Sequence, residues 1–187
     1  MKTVVALVAL LGLASAARAA PAAAWSVDKG ASAVRFSSSM NGQAFSGAFR
    51  RWDAAIAFDP KNLAASSVTA TIDTASAATG DPDRDQALPT AAFLAAAKFP
   101  KATFTAHAFK DLGAGRYLAI GALTLRGVTK PLTLPFTLAI TGTRARMKAS
   151  LALNRLAFGV GQDEWKATTA LPATVTVSIA IAATRAP

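Results

Sequence analysis

For chemistry, this chain of 187 residues offers a single histidine, no cysteine and ten carboxylates spread along its length. A transition-metal site needs a cluster of Cys, His and carboxylates, and His107 stands alone in TFTAHAF, on the strand face of Thr103 and Thr105. A Ser-His-Asp hydrolase would have to use His107 as its base, yet no G-x-S-x-G elbow accompanies it. The plainer reading of His107 is a solvent-exposed strand residue. Asp163-Glu164 suggests acid-base work, but adjacent acids in a strand point to opposite faces, so a turn is the plainer home. GVGQ, residues 159–162, has glycines but no helix following it, and phosphate cradling needs both. The expectation is a protein without catalytic residues, metal or cofactor.

The cations invite a different chemistry. The formal charge is +10, which favours acidic partners such as phosphate head groups or an anionic membrane surface. Nucleic acid fits poorly, because the basic residues are scattered and only one tyrosine and three tryptophans exist to stack on bases. Arg84 beside Asp85 reads either as a local ion pair pinning a loop or as a ligand contact. Arg50 and Arg51 beside Trp52 either accept a phosphate or solvate a turn. Arg144, Arg146 and Lys148 alternate with apolar residues and read as the wet face of a strand.

The chain opens with Lys2, a small-apolar run from Val4 to Ala14 and then Ala17-Arg18-Ala19, the pattern of a secretory signal peptide over residues 1–19 that is removed. That run is too short to span a bilayer, which takes roughly 20 apolar residues. Residues 20–187 are then one exported domain, for which a bacterial periplasm is the expected compartment.

Strand patterns position almost everything else. In GALTLRGVTKPLTLPF, residues 121–136, Leu123 and Leu125 alternate with Thr124 and Arg126, a turn is expected at Gly127 to Pro131, and Leu132, Leu134 and Phe136 then alternate with Thr133 and Pro135. Val34 and Phe36 precede an Asn41-Gly42 turn; Ile56 and Phe58 precede Asp59-Pro60; Val68, Ala70 and Ile72 alternate with Thr and Asp. Phe104 and Ala106 share one strand, Arg116 to Arg126 forms a long one, and Leu132 to Ile140 its hairpin partner. Met147, Leu151 and Leu153, then Val175 to Ile181, complete roughly eight strands of an all-β sandwich or barrel. The Ala-rich stretch from Thr90 to Lys98 is the one helix signal, with Thr90 as its cap.

WSVDKGASAVRF, GAFRRWDAAIAFDP, DRDQALPTAAFLAAAKFPKATF, GALTLRGVTKPLTLPF and the late FGVGQDEWKAT occur in the order and spacing of the YceI-like family, which this chain resembles along its length. Gln86 and Ala87 stand where that family often has a His-Leu-like pair, and Ala92 and Leu94 replace an acidic-Phe-Phe run, so contacts made by those residues are not carried over. The resemblance implies an extended antiparallel eight-stranded lipocalin-like barrel with a short helix in the connection around residues 82–98, enclosing a long apolar tunnel. It also implies a periplasmic carrier of an isoprenoid lipid, a quinone or polyprenyl phosphate.

Inward alanines agree with a hollow interior: Ala70, Ala106, Ala145 and Ala149 leave room that larger residues would fill, although compositional bias toward alanine explains them equally well. Candidate tunnel residues are Phe36, Phe45, Phe49, Phe58, Ile72, Phe104, Leu123, Leu125, Phe136, Met147, Leu151, Phe158 and Trp165, with Arg51 and Arg84 as candidates at a mouth. Transient membrane contact and pairing of two copies are compatible with this reading. The rival functions are a lipid-modifying enzyme of the lipocalin-like kind, a quinone-handling accessory of a membrane cytochrome, and a stress protein with a filled core.

Overall fold

Apolar residues at every second position fix eleven strand segments: β1 (Ala24–Val27), β2 (Ala33–Met40), β3 (Gln43–Phe49), β4 (Trp52–Ala57), β5 (Ser67–Asp73), β6 (Ala77–Ala78), β7 (Lys101–Gly113), β8 (Arg116–Leu125), β9 (Val128–Thr141), β10 (Arg144–Asn154) and β11 (Thr174–Arg185). The computed structural model describes residues 22–186; the expected signal peptide lies outside the described residues. All pairings are antiparallel, in the order β1-β4-β5-β7-β8-β9-β10-β11, and β1 returns to β11 through Trp25↔Arg185 and Val27↔Ala183. This closes an eight-stranded barrel through β1 and β11. Beyond β1, the same edge of β11 pairs with β2, followed by β3 and β6. The pairs β1/β2, β3/β4 and β5/β6 are therefore three barrel strands, each interrupted once.

The interruptions are held by hydrogen bonds. Ser76 is buried, its hydroxyl accepts from the Arg51 N–H and its carbonyl from the Arg50 N–H. Thr74 is fully buried and donates its hydroxyl to the Phe99 carbonyl. Arg51 is spent here, with its Nε 2.8 Å from the Asp73 carboxylate.

Two local expectations need correction. The turn after Leu125 is only Arg126-Gly127, both with positive φ, and β9 already begins at Val128, so Pro131 lies in a strand and not in a turn. Tight hairpins favour this two-residue left-handed geometry. The helix, α1, spans Pro82–Ala87, because Asp81 accepts from the Arg84 N–H, Pro82 presets the first turn and Asp83 and Asp85 suit its positive end. Residues 90–98 instead form successive turns, with Ala95 left-handed and the Thr90 hydroxyl donating to the Ala87 carbonyl. Strand β7 carries a bulge between Ala106 and Ala108, so the inward face passes from Phe104 and Ala106 to Phe109. Gly121 lies opposite, where any side chain would run into the Thr105 carbonyl. His107 sits in this bulge, exposed.

One end of the barrel is closed by Trp25, Phe58 and Tyr117, with Phe58 edge-on to Phe109, Tyr117 and Phe136. The Trp25 indole N–H donates to the Phe58 carbonyl at 2.9 Å, which satisfies that buried donor. The other end is covered by α1, the turns of residues 88–99 and the segment 155–173; Phe36, Leu94, Leu125 and Phe158 form its packed floor.

Candidate functional site: an apolar cavity in the barrel

The inward faces do not meet across the middle. They enclose a cavity of about 500 Å³ that runs from Trp25 and Phe58 at the closed end to Phe45, Arg84 and Trp165 at the other. Ala70, on the inner wall, is only half-buried because it faces this space. Ala70 and Ala145 line it, as the sequence led one to expect of small inward residues. Ala106 and Ala149 do not: they are packed against Phe104, Ala119 and Leu134.

Of the candidate tunnel residues, Phe36, Phe45, Phe49, Phe58, Ile72, Phe104, Leu123, Leu125, Phe136, Met147, Leu151 and Trp165 line the cavity. Phe158 is misplaced by sequence: it is buried in the floor with Phe36 and Leu94, behind the lining, because the short 3-10 turn Arg155–Phe158 rotates it away from the strand pattern. Arg51 lies outside the cavity, paired with Asp73, whose carboxyl that hydrogen bond holds below the usual range.

The polar and charged lining is confined to Ser38, Thr79, Asp83, Arg84 and Arg155, at the end framed by the β2–β3 hairpin, α1 and the segment 155–173. Arg84 does not pair with Asp85. Its guanidinium reaches Asp81 at 3.1 Å and lies over the Phe45 ring, and its buried Nε has no hydrogen-bond partner. Asp85 instead accepts from the Thr79 backbone N–H at 2.6 Å, from the Thr79 hydroxyl and from the Gly80 N–H; those donors lower its pKa.

Arg155 was not anticipated. It is 3 % exposed and donates only to backbone carbonyls, from Nε to Pro172, from Nη1 to Val160 and from Nη2 to Leu171. Burial lowers its pKa, but a guanidinium so placed stays charged. It ties down the segment that carries Trp165, whose ring packs 5.4 Å from that of Phe93. Gly161 must lack a side chain, since a Cβ there would meet Nη1 of Arg155. A lone arginine inside the apolar stretch LALNRLAF was the available signal.

Asp163 and Glu164 lie in a one-turn 3-10 helix and are exposed, and His107 is on the outer wall. Among the described residues, no group of three or more His, Cys, Asp or Glu converges.

An antiparallel barrel closed around one elongated apolar chamber defines a class of binding-barrel architecture. Residues 25–183 match the YceI-like domain, and the chain belongs to that family. Its fold is similar to that of BcnA from Burkholderia cenocepacia, with 32% identity and a TM-score of 0.82 over 85% of this chain and 100% of that one. A Campylobacter jejuni YCEI protein shares the fold at 23% identity and a TM-score of 0.67, covering 75% of this chain and 85% of the other. So does a polyisoprenoid binding domain from Saccharophagus degradans, at 18% identity and a TM-score of 0.66, over 88% and 99% of the two chains. A UPF0312 protein of Yersinia pestis is 48% identical over 88 residues, which span 47% of this chain and less than half, 45%, of that relative.

Proposed function

We propose that this protein is a non-catalytic carrier that sequesters one long isoprenoid chain, of the quinone or polyprenyl phosphate type, in the barrel cavity. The observation that carries the reading is the cavity itself. Eight-stranded barrels are either filled by side chains or hold one small ligand, and this one leaves about 500 Å³ open behind an almost wholly apolar lining. That volume lies within the range of ligand sites. Each methylene moved from water into it contributes about 0.8 kcal/mol, so a tail of ten carbons supplies about 8 kcal/mol before the cost of ordering it is subtracted. The head group then sits at the polar end, near Arg84 and Trp165. The polyisoprenoid binding domain of Saccharophagus degradans, which shares the fold, supports the choice of ligand class.

The one histidine lies on the outer wall, away from the cavity, which supports the non-catalytic reading. The leader-like residues 1–19 support export to a periplasm. The test is native mass spectrometry of the protein purified from its own cell envelope, followed by organic extraction. A single bound isoprenoid per chain is expected. A ligand-free chain that also fails to take up a polyisoprenol in detergent refutes the reading.

A further inference from the structure

The barrel wall is not uniform in its pairing or in its charge. Strands β9 and β10 pair from Arg144↔Thr141 to Ala149↔Phe136 and no further. Both continue past that point, β10 to Asn154 against β11 and β9 back to Val128 against β8. Along this seam the ladder between the two strands is interrupted. Pro131 and Pro135 lie in the unpaired half of β9, where a residue without an N–H is tolerated. The inner side of the seam is Leu132 and Leu134 facing Leu151 and Leu153, all of which line the cavity. Side chains separate the cavity from the outside here, whereas the ladders on either side, β8–β9 and β10–β11, run unbroken.

The strands around the seam also share one sign of charge. β8, β9, β10, β11 and β2 contain no Asp or Glu. Arg35, Arg116, Lys130, Arg144, Arg146 and Lys148 are exposed on them, and none belongs to an ion pair of the described residues. The register sets Arg116 opposite Thr137 and Thr137 opposite Lys148, next to the point where the seam begins. A shallow outer groove there is lined by Arg35, Arg116, Lys148 and Pro135.

We propose that this acid-free wall is the face that docks on an anionic phospholipid bilayer, and that lipid passes between bilayer and cavity through the β9–β10 seam. Charge complementarity selects a bilayer surface, and the coincidence of the basic face with the weakest part of the wall gives the docking a use. The passage rests on the carrier reading above; the docking does not.

The test has two arms. In the first, the full protein is sedimented with phosphatidylglycerol-containing vesicles at physiological ionic strength, and Arg144→Gln/Arg146→Gln/Lys148→Gln is compared with Lys61→Gln/Lys98→Gln/Lys101→Gln, an equal loss of charge elsewhere. Each basic residue at such a surface is worth about fivefold in binding, so the first triple should bind about a hundredfold more weakly and the second nearly as wild type. Equal effects of the two triples overturn the docking, as does binding to an acidic polypeptide but not to vesicles, which would make the partner a protein.

In the second arm, Thr133→Cys/Ala152→Cys is bridged across the seam with a short cleavable dithiol cross-linker, in a chain with no other cysteine. Ala152→Cys/Thr176→Cys, across the paired β10–β11 ladder, is the control. Transfer of a fluorescent polyisoprenol from vesicles should slow at least tenfold in the first pair, recover on cleavage and stay unchanged in the control. Unchanged transfer with the seam bridged, and equal loading, overturns the passage. Failure of every variant to load the polyisoprenol refutes the carrier reading and the passage with it, and leaves the docking to be decided by the first arm.

Discussion

Replacing Ala70 by Phe and Ala106 by Phe should separate an open chamber from a packed core within one sheet. The two alanines lie on neighbouring strands, with Ala70 opposite Phe104 and Ala106 opposite Val68. Ala106 is 1 % exposed, packed against Phe104 and Ala119, and backed by Gly121 at the bulge. A phenylalanine there has to displace backbone and should cost about 1–3 kcal/mol, which in a domain of this size lowers Tm by roughly 2–12 °C. At Ala70 the new ring enters the 500 Å³ cavity, buries its own apolar surface and should leave Tm unchanged or slightly raised. It also takes the place of about four methylenes of a bound tail, and at about 0.8 kcal/mol each the loss is near 3 kcal/mol, a binding defect of more than a hundredfold. Thermal unfolding by circular dichroism and polyisoprenol titration read the two quantities separately. The reasoning is refuted if Ala70→Phe unfolds as readily as Ala106→Phe, or if it binds the lipid as tightly as wild type.

Arg155→Met leaves the carbonyls of Val160, Leu171 and Pro172 without their buried donor and should cost about 3 kcal/mol or more, read by urea unfolding and by new proteolytic cleavage within residues 156–173. The Asp85 carboxyl, held below its ordinary pKa by the Thr79 and Gly80 donors, stabilises the fold fully above the unfolded-state value of about 4. That contribution disappears as pH falls through the lower folded value, so Asp85→Asn should be less stable at neutral pH and show a shallower acid limb in pH-dependent unfolding. His107→Ala, on the outer wall, should change stability by no more than about 0.5 kcal/mol and leave lipid retention unaltered in a gel-filtration release assay.

Period-two alternation made the barrel legible, since each strand that faces both cavity and water must write that division into its residues. Where alternation stops, sequence carries less: the bulge at His107, which shifts the inner face by one residue, has no signature in TFTAHAF, and the 3-10 turn at Arg155–Phe158 takes Phe158 out of the lining. Helix propensity failed for residues 90–98 because burial of Phe93, Leu94, Ala95 and Ala96 in the floor dictates a series of turns, whereas Asp81-Pro82 supplied a real helix start a few residues earlier. The polar end was half legible. Arg84 was visible as a cation beside an acid, but its partner, Asp81, is set by the turn of α1, and Arg155 acts through carbonyls that carry no sequence signature. Sequence places Pro131 at the end of a turn and Pro135 in a strand; both fall in residues 128–135, where β9 pairs with β8 and not with β10.

The central claim is that a long isoprenoid occupies the chamber, and the protein carries its own reporters. All three of its tryptophans, Trp25, Trp52 and Trp165, line the cavity. Titration with a long-tailed quinone, whose head group quenches indole fluorescence, should therefore give saturable quenching at one quinone per chain, abolished in Ala70→Phe. Trp165 at the polar end should lose more emission than Trp25 at the closed end when each is compared in single-tryptophan variants. Quenching that rises linearly with quinone, or that Ala70→Phe leaves intact, would contradict occupancy of the chamber.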